Sequence, residues 1–547
     1  MGKEVQVSSR FEDPERRVVP RWRPSWVTAS LGELGYPGTA GSGRAGLDQK
    51  GLLQNLAAWE RHRSATFGAD LVGAALVLER HDIAREAAEY LLASGSEASP
   101  VAARLARFIV EPGHGKAGDP PALTVDARRQ RISSLRRRLQ SGPRNALGWI
   151  DLAREYAVLG QVNPSEHAVR IALSLAPDNR FVVRSAARFF MHKQDPEQAH
   201  HILRHAVKAR SDPWLLAAEI AAASVAGRVP GSIKSGRRLI DSGHFTAWHV
   251  SELACAIGTA ELGAAKRSDI RRLFRRALTQ PTENALAQVS WAVRRDNQLL
   301  EIDPSAYETP RSYEARAWER FVAGAWGEAV GAAEEWQLDE PFATRPAAFG
   351  SFLAAVALGD LELGALFARR GLEANPDDAL LLNNLSFTLA TADRVDEARA
   401  VFARIRKAGL DPAMRAAYLA TSGLLSYRDG RVEEGHDLYM TSITSAKEAN
   451  APATSAWATL FHAREQLRVG SDYRSIVLAK ANAALDDLPN DMRSLGKKVL
   501  TDVAALPELP ESHGALRGQG NVIPVKQPSM GRRIARSLLR LFRRQWP

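Results

Sequence analysis

Cysteine is the scarcest residue of this 547-residue chain: the only one, Cys255, lies in the apolar stretch Ser251 to Ala260. A lone thiol excludes an intramolecular disulfide and a cysteine-based zinc site, and its surroundings make it an inert core residue. Long hydrophobic runs are missing too, since no stretch approaches the roughly 18 apolar residues of a membrane span. The N-terminus, MGKEVQVSSRFEDPERR, lacks the apolar core of a signal peptide, and Gln6 stands where a myristoylation motif wants Ser or Thr. A cytoplasmic location is expected, with peripheral attachment at the inner face of a membrane as an option. Runs of β-branched residues in strict alternation are absent, which argues against a sheet. So are the phosphate loop Gly-x4-Gly-Lys-Ser/Thr, the zinc motif His-Glu-x2-His and the nucleophile elbow Gly-x-Ser-x-Gly. His201 and His205 share a helix face, but no third ligand follows at helical spacing. The expectation is a protein that is not an enzyme, with no catalytic residue, metal or cofactor.

Charge is what the chain has in excess. Lys and Arg number 73 against 62 Asp and Glu, a net +11. A global excess of this size suggests nucleic acid or an anionic membrane as partner. The excess is localised, however. Ser512 to Pro547 carries eight basic residues and no acid, and Ala127 to Arg144 carries seven Arg and no acid. The rest of the chain is slightly acidic. Ile132, Leu135 and Leu139 form an apolar helical stripe through the second cluster and Pro143 stops it, so that segment reads as one helix with a solvated outer face.

From Leu47 to about Ala505 the text is Ala, Leu and Arg at helical spacing, and it repeats. Trp149, Leu152, Ala153 and Tyr156 are followed by Ala172 and Pro177; thirty-four residues on, Val183, Ala186, Ala187 and Phe190 are followed by Ala199, Ala206 and Pro213. Further units centre on Ala317 and Ala329, on Phe352, Gly364 and Gly371, on Ser386 and Ala398, and on Gly423 and Gly435. In these units, with Trp336, Phe352 and Ile405 as departures, small residues stand where two crossing helices must approach closely. The pattern resembles the tetratricopeptide-repeat family. That resemblance implies an all-α fold, a right-handed α-solenoid of stacked antiparallel helix pairs, whose concave groove binds partner proteins.

The expected organisation is an extended, irregular N-terminal arm over residues 1–46, the solenoid over 47–505 with its clearest units at about 146–213 and 313–445, a Pro/Gly-rich linker over 506–529, and a helix over 530–547. In a solenoid the residues three before and one after the small position of a first helix face the groove. The rule selects Ile150 and Arg154, then Arg184 and Arg188; the three guanidinium groups form a candidate site for an acidic peptide or C-terminus. A second groove set holds Asn383, Phe387, Leu424, Tyr427 and Arg428, and suits an apolar segment. The arm segment Val-Val-Pro-Arg-Trp-Arg-Pro-Ser-Trp, residues 18–26, is held extended by Pro20 and Pro24. Two docking places are open to it: another protein, or its own solenoid.

The last segment forms an amphipathic helix on paper. Ile534, Ala535, Leu538, Leu539, Leu541, Phe542 and Trp546 fall on one arc, opposite Arg532, Arg533, Arg536, Arg540, Arg543 and Arg544. Such a helix can cap the solenoid, lie on an anionic membrane, or dock on a partner. Altogether the sequence points to a scaffold or adaptor that binds proteins; the alternative is a helical-repeat nucleic-acid binder, a less favoured partner because the solenoid itself is not basic.

Overall fold

The computed structural model describes residues 18–25, 44–77, 80–94, 100–110, 124–206, 208–470 and 473–507. Among them there is no strand, and helices follow one another in antiparallel succession. The first four, α1 (Arg44–Arg61), α2 (Ala65–Val77), α3 (His81–Ala93) and α4 (Pro100–Val110), close a core of their own around Trp59, Leu71, Ala87, Leu91 and Ala106. After them α5 (Val125–Ser141) lays Ile132, Leu135 and Leu139 against Leu152 of α6 (Ala146–Val158). The arginine-dense helix is thus a packing helix, as its apolar stripe indicates. Arg128 is buried by its ion pair with Glu155, which Arg131 also reaches, while Arg129 is exposed.

The repeat proper runs α6/α7 (Val162–Leu175), α8 (Arg180–His192)/α9 (Pro196–His205), α10 (Pro213–Val225)/α11 (Ile233–Asp241), α12 (Ala247–Ala260)/α13 (Arg267–Leu278), then α14 (Glu283–Arg295). It continues through α15 (Tyr313–Val322)/α16 (Trp326–Asp339), α17 (Thr344–Leu353)/α18 (Leu361–Ala374), α19 (Ala379–Thr391)/α20 (Val395–Phe402), α21 (Pro412–Arg428)/α22 (Val432–Glu448) and α23 (Pro452–Arg468)/α24 (Arg474–Ala483), ending on α25 (Arg493–Ala504). Local chemistry starts most first helices at the same place. Asn145, Asn179, Asp212, Thr246 and Thr282 accept backbone N–H bonds as N-caps of α6, α8, α10, α12 and α14, and Asp378 and Asp411 do so for α19 and α21. The tight turn inside several pairs uses a left-handed residue, among them Gly160, Gly227, Gly324, Gly359 and Gly430, with Gln194 and Asp393 taking the same role.

The small positions do what the crossing needs. Ser165 Oγ donates to the Ala153 carbonyl at 2.8 Å, and an added Cβ on Gly423 or Gly435 would stand 3.0 Å from the other's carbonyl oxygen. In α17/α18 the register differs from the sequence expectation. Gly364 packs on the Ser351 carbonyl and Ala355, whereas Phe352 turns away to meet the ring of Trp457 at 5.3 Å. A π turn at Ala354–Leu358 accompanies this shift.

The stack makes a full turn. The α6–α7 corner at Gly160 rests on the carbonyls of Glu373 and Ala374 at the end of α18, and Ala374 and Phe342 share one core with Ile150, Ala153, Ala187 and Phe189. Beyond α18 the helices curl back: a single core extends from Ala317 to Val503, in which Trp457 and Phe461 of α23 meet Phe352 and Phe387.

Candidate functional site

The turn from α6 to α18 encloses a lumen, and in it lies the chain's own segment 18–25 in extended form. Pro20 and Pro24 hold the backbone out, so successive side chains alternate in direction. Trp22, 0% exposed, points between Phe189 (ring centroids 6.1 Å, edge-on) and Phe342 (5.3 Å). Its Nε1 finds no acceptor. The neighbours Arg21 and Arg23 reach carboxylates instead. Arg23 makes a bidentate pair with Asp339 (Nε to Oδ1 and Nη2 to Oδ2, both 2.7 Å) and donates through Nη1 to Glu283 at 2.7 Å. Arg21 bonds Glu340 through Nη1 and Glu314 through Nη2.

Main-chain contacts complete the fit. Arg154 Nε donates to the Trp22 carbonyl at 3.0 Å, Asn284 Nδ2 to the Val19 carbonyl at 2.9 Å, and Ser25 gives both its N–H and its hydroxyl to Asp151 at 2.7 and 2.6 Å. Val18 enters the core formed by Leu216, Ile220, Leu253 and Ile257. Beside the arm remains a polar cavity of about 50 Å3, bordered by Arg184, Ser185, Trp214, Glu252 and Glu283.

The electrostatics follow from burial and pairing. Burial alone would raise the carboxyls of Glu283, Asp339 and Glu340, yet the arm's Arg23 and Arg21 hold the first two, and Arg21 with Arg188 the third, below the usual range. Arg21 is pushed above its ordinary value because Glu340, Glu314 and Glu283 outweigh its own burial. Glu252 and Asp151 go the other way: burial lifts both carboxyls despite Arg184 beside the one and Ser25 on the other. Burial pulls Arg154 down to about 10, which leaves it charged at neutral pH.

Arg154, Arg184 and Arg188 are therefore brought together in one lumen, and each has partners from its own chain. Arg154 bonds the carbonyls of Trp22 and Asp339; Arg184 pairs with Glu252 at 2.7 Å; Arg188 lies 3.6 Å from Glu340 and over the Phe342 ring. The second set lies elsewhere, on α19 and α21 beneath α23. Asn383 is buried with neither amide atom bonded, Phe387 packs at 4.8 Å on Phe461, and the Tyr427 hydroxyl meets His462 Nε2 at 3.2 Å. Arg428 pairs there with Asp393 and Glu465. The C-terminal set, Arg532, Arg533, Arg536, Leu538, Arg540, Phe542 and Trp546, lies outside the described residues, as do the 508–529 part of the linker and residues 1–17 and 26–43 of the arm.

The lumen's carboxylates escaped the sequence reading. Glu283 and Glu314 sit in the first turns of first helices, where the helix dipole favours acids, whereas Asp339 and Glu340 end a second helix, where it opposes them. That terminal acid pair is the one local signal; the convergence of the carboxylates on one axis is not visible in the residue order. Among the described residues no group of three or more His, Cys, Asp or Glu is placed to hold a metal, and no helix is long and apolar enough to cross a membrane. His205 Nδ1 is engaged with the His201 carbonyl.

No protein-family model and no curated protein matches the chain. Among solved structures it is similar to yeast Tom70 (TM-score 0.31, 11% identity, over 80% of this chain and 95% of that one) and to the APC/C hetero-tetramer Cut9-Hcn1 (TM-score 0.28, 11% identity, over 84% and 94%). The chain's own geometry, antiparallel pairs recurring at the period of their caps, small residues at the crossings and a left-handed residue at the turns, is that of a tetratricopeptide-like α-solenoid.

Proposed function

We propose that this chain is a non-enzymatic scaffold that receives an extended segment of a partner protein in its superhelical lumen. One observation carries the reading: the lumen already has the shape and the polar groups of a peptide site, with an extended eight-residue stretch, 18–25, bonded through both side chains and backbone. An acidic guest, which the three arginines alone suggest, would have to displace Glu252 and Glu340 from Arg184 and Arg188. A nucleic-acid guest meets the same carboxylates, which repel phosphate. The basic segment 530–547 is read as a tether to an anionic membrane, and flotation with anionic but not neutral vesicles, lost when those residues are removed, is the expected behaviour.

A photo-crosslinking residue placed at Phe181 or Trp214, both bordering the cavity beside the arm, should capture partner protein, whereas the same residue at the exposed Val229 (93%) or Tyr473 (67%) should not. Equal capture from both groups of positions would place partners on the outer surface and remove the reading.

A further inference from the structure

We infer that the lumen is a receptor for extended segments of the form Arg-aromatic-Arg, and that residues 18–25 are its resident occupant, exchangeable for the same chemistry on a partner. The inference rests on the peptide-receiving role proposed above and adds the class of peptide.

Charge is the first argument. Five carboxylates bond the arm: Asp151, Glu314, Asp339 and Glu340 are buried and Glu283 is half-buried. The solenoid answers three of them itself, with Arg345 on Glu314, Arg188 near Glu340 and Arg154 beside Asp151. Two negative charges are left for the guest, and the arm supplies two guanidinium groups. Buried carboxylates left without partners are strongly destabilising, so this lumen is matched to a doubly basic guest and mismatched to a neutral or acidic one.

Spacing is the second. In an extended segment residues i and i+2 share a side while i+1 faces away. Arg21 and Arg23 meet carboxylates of α14, α15 and α16, and Trp22 between them enters the Phe189–Phe342 cleft. A segment slipped by one residue would put an arginine into the aromatic cleft. Because the indole N–H of Trp22 has no acceptor, the cleft asks for a large ring and not for indole itself.

Third, the arm's backbone is read in a way that does not depend on its identity. Arg154, Asn284 and Asp151 bond main-chain atoms at Trp22, Val19 and Ser25, contacts that any extended chain offers in the same register. These partners lie 126 to 265 residues away in sequence, and the arm is not one of the paired helices. Covalent attachment makes its docking intramolecular, so in the intact chain it competes strongly with any partner.

The test uses the full chain carrying Arg21→Ala, Trp22→Ala and Arg23→Ala, with fluorescein-labelled VVPRWRPS, the sequence of residues 18–25, as probe. Anisotropy should show binding about tenfold or more tighter than to the unaltered chain, and a loss of about tenfold when Glu283→Gln and Asp339→Asn are added. A second probe, VVPEWEPS, separates the possible failures. Binding of the acidic probe alone overturns the Arg-aromatic-Arg class and leaves a peptide-receiving lumen; binding of neither, by a chain of unchanged circular dichroism, overturns both. Should the triple variant misfold, a protease site placed within residues 26–43 of the otherwise unaltered chain gives the answer. After cleavage the labelled peptide should replace the severed segment. Retention of that segment against a large excess of probe, or unfolding on its departure, would make it an integral part of the core and overturn the proposal.

Discussion

Trp22 shows what a single residue contributes to the lumen. Its ring is fully buried between Phe189 and Phe342, and the Arg154 and Arg188 guanidinium groups lie 5.9 and 4.8 Å from the latter ring. Truncation to Ala forfeits aromatic burial worth on the order of 3 kcal/mol or more, enough to undock the arm, whereas Trp22→Phe keeps a ring and loses no hydrogen bond. Limited proteolysis of the two variants should show rapid cleavage around residue 22 in the first and protection in the second. Histidine makes the second residue-scale prediction. Burial, then Arg188, pulls His192 down to about 4, and burial with His436 and Lys480 pulls His462 down to about 3, against an ordinary 6.5. Both are neutral in the fold and would gain a proton on unfolding, so their contribution is complete above pH 6.5 and lost as the pH falls toward 4. The raised Asp151 and Glu252 carboxyls act in the opposite sense, adding stability at acid pH that is lost as the pH rises through their shifted values. Glu283, Asp339 and Glu340, which are lowered, withdraw theirs at still lower pH. Denaturant midpoints should therefore drop between pH 6.5 and 5, and His192→Gln with His462→Gln should flatten that drop. An unchanged slope would mean that the two rings are not held neutral.

At the scale of elements, the corner at Gly160 separates local from global demands. Gly160 and Gly227 have nearly the same left-handed backbone, φ 67° and 69°, but an added Cβ meets nothing within 4 Å at Gly227 and lies 3.0 Å from the Glu373 carbonyl oxygen at Gly160. Gly227→Ala should cost only the left-handed penalty of about 1 kcal/mol, and Gly160→Ala clearly more, because it also pries α18 from α6–α7. Urea unfolding of the pair measures the difference; equal losses would show that the closure contributes nothing. The same elements explain what the sequence made legible. Ala153, Ser165 and Ala172 stand out because helix crossings tolerate only small side chains, and that local demand is written into the residues. Between Asp212 and Arg311 the small-residue pattern is worn, although Asp212, Thr246 and Thr282 keep the caps in step, a signal that would have fixed those units. Phe352 misled because the π turn after it rotates the helix face, and nothing in the residue types marks a π turn. Arg154, Arg184 and Arg188 were placed in a groove by a local rule, whereas the partners that occupy them come from other turns and from the arm, which no spacing rule connects.

At the scale of the whole molecule, the turn from α6 to α18 is closed around a charged axis, and its curvature is expected to depend on that axis being neutralised. With the arm in place, Arg21 and Arg23 balance carboxylates contributed by α14, α15 and α16. Remove both guanidinium groups and the same carboxylates repel one another across the lumen, at separations where screening by salt is weak because they are buried. The path of least resistance is the seam where α18 rests on the α6–α7 corner, the contact that joins distant ends of the turn. Small-angle scattering of the Arg21→Ala, Trp22→Ala, Arg23→Ala chain should thus report a larger radius of gyration than the unaltered chain at pH 7. Without the arm's positive charges, burial acts unopposed by them on Glu283, Asp339 and Glu340, and their carboxyls rise. Lowering the pH then protonates them sooner than in the unaltered chain, and the radius should contract toward the unaltered value before acid unfolding begins. A radius that is indifferent both to the arm and to pH would show that helix packing alone sets the curvature of the turn, and that the axial charges only select what lies inside it.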